Sequence, residues 1–174
     1  MASTSFSYVL DASVFMEANR RYYPFDLCPG FWECLVQYAK VKRLVSIDRV
    51  RKEILAGNDE LKTWASRSVP KSFFASTSDP AVTEWFGKMM RWVKSQPQFK
   101  PEAIAEFARA ADGWVIAYAK AHGLTAVTQE EYAAEAKKTV PMPNVCRAFD
   151  VPYVNTFEML RGLGSRFTWT PPLL

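Results

Sequence analysis

Four carboxylates in the sequence occupy positions from which they can act together: Asp11, Glu53, Asp112 and Glu130. Asp11 ends the apolar run Tyr8-Val9-Leu10, and a charge directly after a buried strand is costly unless it is paired, caps a helix or binds something. Glu130 follows Thr125-Ala126-Val127-Thr128 after one intervening residue, with Glu131 beside it as a rival. Glu53 falls in the first turns of a helix holding Val50 and Ile54, and Asp112 opens an apolar helical stretch. Taken singly, Asp112 reads as a helix N-cap, Glu53 as a solvated helix position and Glu130 as a surface acid. Taken together they form a carboxylate-only set. Like charges packed closely raise one another's pKa and repel by about several kcal/mol at intermediate dielectric, so such a set calls for a cation. Hard divalent ions with oxygen ligands, Mg²⁺ or Mn²⁺, suit it. Zinc does not: Cys28 and Cys34 lack CxxC spacing, and His122 is the single histidine.

The elements that must bring these acids together follow from periodicity. Tyr8–Leu10, Leu44–Ile47, Thr125–Thr128 and Pro152–Val154 read as short buried strands. A helix through Phe31, Trp32, Leu35, Val36 and Ala39 crosses over after a Tyr22–Pro29 loop, and a second, stopped by Gly57, follows Ile47. Val82, Trp85, Phe86, Met89, Met90 and Val93 form an amphipathic stripe that Pro80 can start, Pro101 opens another helix, and Trp114–Ala121 is apolar almost all round and ends at Gly123. Strands alternating with helices predict an α/β fold, a three-layer α/β/α arrangement on a mostly parallel sheet with right-handed crossovers. In that architecture the loops after the C-terminal ends of strands build the site, and these four acids lie close to such ends.

The 174 residues, 49% of them hydrophobic, fit a single domain spanning 1–174. There is no internal repeat and no apolar run long enough to cross a membrane, and with no basic stretch leading into an apolar one at the N-terminus a secretory signal is not expected. Three cysteines suit a reducing, cytoplasmic setting. A net charge of +4 leans toward an anionic partner. No Gly-rich phosphate loop occurs, and a phosphatase of the haloacid-dehalogenase kind would need aspartate where Ser13 stands.

Tyr8-Val-Leu-Asp11-Ala-Ser13-Val-Phe15 resembles the opening motif of PIN domains. Val50-Arg-Lys-Glu53-Ile-Leu, Ala111-Asp112-Gly-Trp-Val-Ile-Ala117 and Val127-Thr128-Gln129-Glu130 resemble that family's second, third and fourth acidic motifs. The fourth position often carries aspartate; here glutamate is a methylene longer. Arg21-Tyr-Tyr-Pro-Phe-Asp26-Leu-Cys-Pro-Gly-Phe-Trp32 and Pro143-Asn-Val-Cys146 look like a PIN-like branch known mainly as a domain of unknown function. The resemblance implies a Mg²⁺- or Mn²⁺-dependent endoribonuclease. Asp11 would be the central metal ligand, Glu53 and Asp112 would complete the site, and Glu130 would be an outer or second-metal ligand. Ser13 would orient Asp11 or a water, or else cap the helix that follows. Arg20, Arg21, Arg49, Arg51 and Lys52 lie near two acidic motifs and could meet phosphates. Tyr22, Tyr23 and Phe25 could stack on bases or pack on the core. By the same resemblance the chain would be the toxin of a toxin–antitoxin pair, with an RNA substrate, a cognate antitoxin and a homodimer as partners, the Val82–Val93 helix serving an interface as well as a core. The alternative is a non-catalytic PIN-like module that binds RNA or protein without cutting.

Overall fold

In the computed structural model, which describes residues 7–172, all strands run parallel in one five-stranded sheet of order β3-β2-β1-β4-β5. The strands are β1 (Tyr8–Leu10), β2 (Leu44–Ile47), β3 (Phe74–Ala75), β4 (Thr125–Val127) and β5 (Tyr153–Val154). Pairing puts Tyr8 opposite Leu44 on one side and Thr125 on the other. The Asp11 N–H carries the β1–β4 ladder one step further, donating to the Val127 carbonyl at 3.0 Å. β1, β2 and β4 form the buried centre of the sheet. Their side chains are apolar nearly throughout, and the one buried hydroxyl in β2, Ser46, donates to the Leu10 carbonyl at 2.7 Å.

The helices divide into two layers by the direction in which the chain travels. From β1 through β2 to β3 it moves one way, over α1 (Ala12–Glu17), α2 (Pro29–Lys40), α3 (Asp48–Ala56) and α4 (Glu60–Arg67). From β3 to β4 and β5 it returns over α5 (Pro80–Ser95), α6 (Pro101–Arg109), α7 (Asp112–His122) and α8 (Met142–Ala148), and α9 (Thr156–Gly162) follows. Right-handed crossovers then place the two sets on opposite faces. The packing agrees, with α1 on α3 and α3 on α4 in one layer, and α5, α6 and α8 on α7 in the other. The direction of travel reverses between β1 and β4, which makes their C-terminal ends the topological switch point of the sheet.

The predicted helices stand close to their expected bounds. The stripe from Val82 to Val93 is spent on the core, with Val82, Met89, Met90 and Val93 buried in a helix that packs along α7. Asp79 caps this helix, accepting from the Ala81 N–H at 2.9 Å. Gly123 ends α7 at φ +65°, the left-handed conformation glycine adopts without strain. His122 is the last residue of α7 and pairs with Asp79 at 3.3 Å. Three features differ from expectation. The stretch between β4 and β5, whose sequence reads as helical, is mostly irregular, with a single short helix, α8. The edge strand β3 has two residues, too few for any alternation to register. The segment Ala18–Tyr22 continues α1 as a π-turn, in which the Tyr23 N–H reaches back five residues to the Ala18 carbonyl at 2.7 Å. Among the described residues no helix is long and apolar enough to cross a membrane.

Gly113 sets how closely α7 can approach α5 and α6. A Cβ there would lie 2.9 Å from Phe86 Cε2 and 3.0 Å from Phe107 Cε1. Neither ring has room to yield, since Phe86 stacks on Trp114 at 3.9 Å and Phe107 is buried. Gly113→Ala is therefore expected to destabilise the protein by about 1–3 kcal/mol through overpacking. The better helix propensity of alanine, worth up to about 1 kcal/mol, only partly offsets this. Thermal unfolding measures it; an unchanged or higher Tm would mean the rings move aside.

Candidate active site

Asp11 stands at the switch point with its carboxylate 2% exposed. It is the N-cap of α1, in extended backbone (φ −79°, ψ 161°). Its Oδ2 accepts from the Ser13 N–H at 3.2 Å, the Ser13 hydroxyl at 2.7 Å and the Thr128 hydroxyl at 3.4 Å. Its Oδ1 is buried and has no hydrogen-bond partner among the described residues. A buried carboxylate oxygen with nothing to accept from is unusual, because such groups are almost always paired. Burial pushes the Asp11 carboxyl above its ordinary value, and the Ser13 and Thr128 bonds only temper this.

Ser13 does not cap the helix, because Asp11 does. The serine hydroxyl instead receives the Gln129 N–H at 3.0 Å while touching Asp11, so it ties the first turn of α1 to the loop after β4. Thr128, the residue after β4, completes this junction and also accepts the Glu130 N–H at 3.2 Å. Thr128 was not among the residues expected at the site. A hydroxyl at the last position of the strand expected over Thr125–Thr128 was the available signal.

The other three acids surround Asp11 electrostatically. Glu53 reaches from α3 across to the start of α7, where its Oε1 accepts the Ala111 N–H at 2.9 Å. Burial raises its pKa and that bond lowers it, while the charges of Asp11 and Glu106 raise it further. Glu106, on α6, belongs to the same neighbourhood and was not expected there; it also pairs with Arg109. Glu130 Oε2 accepts the Met142 N–H at the start of α8 at 2.7 Å, and burial followed by the charge of Asp11 raises its carboxyl. Glu131 is exposed. Asp112 is not an N-cap, a position held by Ala111, but lies in the first turn of α7. Its pKa is pushed up to about 8, by burial first and then by Asp11, Glu130 and Glu53 in turn. Behind them the buried Cys146 thiol is pushed up to about 12, by burial and by the charges of Glu130 and Asp11.

The fold thus gathers all four predicted acids at one sheet edge, within reach of one another's fields, and separates Glu130 from Glu131. In kind, this all-carboxylate set with an orphaned buried oxygen matches what a hard divalent cation takes. It is not a closed cage: among the described residues no three His, Cys, Asp or Glu side chains stand close enough together to hold an ion.

The basic candidates are dispersed. Arg20 and Arg21 are exposed on the π-turn, and Arg21 pairs with Glu17 at 3.3 Å. Arg49 donates to the Thr77 hydroxyl at 3.1 Å and lies 3.8 Å over the Trp114 ring, so it is engaged in holding α3 to α7. Arg51 is half-buried and Lys52 exposed. Tyr23 and Phe25 pack on α2, stacked on Phe31 at 4.4 Å and Trp32 at 3.9 Å. Tyr22 lies edge-on to Phe157 at 5.2 Å. Two clefts flank the acids. One, of about 430 Å³, includes Asp112, Glu106 and Lys138; the other, of about 530 Å³, includes Tyr22 and Thr128; both include Glu130 and Glu131.

The chain thus has a three-layer α/β/α fold on a parallel sheet, with four acids placed around the ends of β1 and β4. The crystal structure of FitAcB from Neisseria gonorrhoeae is similar in fold, with a TM-score of 0.52 and 17% identity over 86% of this chain and 98% of that one. The chain belongs to the family described as "Domain of unknown function (DUF4411)", whose model matches residues 8–167. No curated protein matches the chain.

Proposed function

We propose that the chain is a ribonuclease that hydrolyses RNA phosphodiesters with Mg²⁺ or Mn²⁺, and that it serves as the toxin of a toxin–antitoxin pair. The nuclease reading rests above all on Asp11, a buried carboxylate with one unpartnered oxygen, set among three other acids whose pKa values are all raised. Asp11, Glu53, Asp112 and Glu130 would hold the ion. When bound, it would supply a water of lowered pKa and neutralise charge developing on the scissile phosphate. The chain's own residues do the positioning. Ser13 and Thr128 fix the rotamer of Asp11 through its Oδ2. Backbone N–H groups of Ala111 and Met142 each pin one oxygen of Glu53 and Glu130, so these two longer side chains are held on short arms. Arg20, Arg21, Arg51 and Lys52 are the cations left to meet phosphates of the strand, with Arg49 a lesser one given its existing contacts.

The toxin role, a cognate antitoxin and a homodimer follow from the sequence resemblance, and the likeness to FitAcB agrees with them in fold alone. A second reading, a PIN-like module that binds without cutting, is favoured by one observation: the acids do not close around an ion position as they stand. Incubating the protein with a panel of structured RNAs in Mn²⁺, Mg²⁺ or chelator separates the two. Cleavage with either metal and none with chelator is the expected result. Binding that is indifferent to metal, with no cleavage of any RNA, would establish the module instead.

A further inference from the structure

Asp112 differs from the other three acids in how it is fixed. Asp11, Glu53 and Glu130 each accept hydrogen bonds from other residues, whereas the one bond that favours the charged form of Asp112 comes from its own backbone. Its place therefore depends on the turn Ala111–Trp114, and each neighbour in that turn is gripped by another part of the fold. The Ala111 N–H donates to Glu53. Gly113 is pressed against the Phe86 and Phe107 rings. The Trp114 ring stacks on Phe86 at 3.9 Å and lies 3.8 Å from the Arg49 guanidinium carbon. Two planar groups this close cannot share one face, so the indole is sandwiched between α5 and α3. Arg49 is itself tied down. Its Nε donates to the Thr77 hydroxyl at 3.1 Å, which donates in turn to Asp48 Oδ1 at 2.9 Å. The Thr77 N–H donates to Asp48 Oδ2 at 3.3 Å, so this 3% exposed residue, two places beyond β3, is clipped to the start of α3.

We propose that Arg49 and Thr77 are positioning residues for the metal site: the chain Asp48–Thr77–Arg49–Trp114 sets the first turn of α7 against α3, so that Glu53 and Asp112 meet a divalent ion as a preset pair. The inference rests on the metal-dependent reading above and adds two residues that lie outside the four acids. Arg49 and Glu53 are four apart on α3 and so share one face of it. They touch α7 at Trp114 and Ala111, on either side of Asp112 in the sequence. An apolar side chain could cover the indole without the cost of desolvating a charge. What a guanidinium adds is direction. It is a planar fork that stacks on an aromatic face, and with one N–H committed to Thr77 it fixes the angle of the ring as well as its distance. Groups that only orient a ligand are worth about 10–100-fold in metal affinity or activity, and a misplacement of about 1 Å is enough to cost a hundred-fold in rate.

The test is calorimetric titration of the RNA-free protein with Mn²⁺, at a temperature where every variant is folded. Arg49→Ala, Arg49→Lys and Thr77→Val are each expected to weaken Mn²⁺ binding about ten-fold. Lysine keeps the charge but has no plane to stack, and valine keeps the shape of threonine but not its hydroxyl. Thr77→Ser, which restores the hydroxyl, should bind Mn²⁺ like wild type. In cleavage assays below saturating Mn²⁺ the loss should fall on kcat, with KM for RNA unchanged. Wild-type Mn²⁺ affinity in both Arg49→Ala and Thr77→Val would overturn the proposal, whether or not their melting temperatures drop. So would a raised KM at unchanged Mn²⁺ affinity, which would make Arg49 a phosphate contact. A Thr77→Ser variant as weak as Thr77→Val would overturn it too, since packing rather than the hydroxyl would then matter. The two readings fail separately. Metal-dependent cleavage that needs Asp11 but neither Arg49 nor Thr77 removes the clamp and leaves the nuclease. Mn²⁺ binding that needs Arg49 and Thr77, without cleavage of any RNA, does the reverse.

Discussion

Asp11→Asn is expected to reduce Mn²⁺-dependent RNA cleavage by more than about a hundred-fold while raising the melting temperature of the metal-free protein. The two effects have opposite signs because they arise from the same oxygen. Loss of a partner that merely orients a ligand already costs about 10–100-fold in metal affinity or activity, so loss of the central ligand's charge should cost more. The fold itself loses little. Asparagine keeps an acceptor for the Ser13 N–H, the Ser13 hydroxyl and the Thr128 hydroxyl, and it is as good an N-cap as aspartate. What disappears is a buried charge that has one unpartnered oxygen and raises the pKa of Glu53, Asp112 and Glu130. Relief of that kind is worth about 1–3 kcal/mol. Cleavage at the wild-type rate would remove Asp11 from the site. A lower melting temperature alongside lost cleavage would make it a structural cap whose loss disables the enzyme indirectly.

Asp11 was legible in the sequence because an acid that directly ends a short apolar run has few ordinary uses in a fold. Asp112 and Glu53 were legible only as members of a set, since each has an ordinary use on a helix. Their convergence depended on the strand-end rule, and the parallel sheet satisfies it. The choice between Glu130 and Glu131 was not legible. Adjacent residues beyond a strand point in different directions, and what sets the placement of Glu130 apart is the Met142 N–H, twelve residues away at the start of α8. The contacts of Arg49 were not legible either: proximity to an acidic motif suggested phosphate, and in the fold it touches Trp114 and Thr77, on segments distant in sequence. The π-turn at Ala18–Tyr22 has no periodic signature at all. Buried groups answer to patterns a sequence carries; surface clefts are made by loops, whose geometry it carries poorly.

The second large effect concerns pH. With metal removed by chelator, the protein is expected to lose stability steadily as pH rises from about 5 to 8. The Asp112 carboxyl has a pKa of about 8 in the fold against an ordinary value of 3.8. Between those values the native state holds a proton that the unfolded chain has released. Stability falls with pH wherever the native state binds more protons, by up to about 1.4 kcal/mol per unit for one group. Stabilisation relative to the ionised form is therefore fully present near pH 4 and gone above pH 8, a change on the order of several kcal/mol. Asp11, Glu53 and Glu130 are also shifted upward and act in the same direction. Asp112→Asn should flatten the slope, leaving stability near pH 5 little changed and raising it at pH 8. Urea titrations of both proteins at a series of pH values measure this directly. Adding Mn²⁺ should reverse the trend in the wild type, because an ion that binds the ionised acids of the folded state stabilises most where they are ionised. If wild-type stability instead stays level or climbs between pH 5 and 8 in chelator, the acids are not held against their own repulsion, and the case for a cation at this edge of the sheet loses its physical ground.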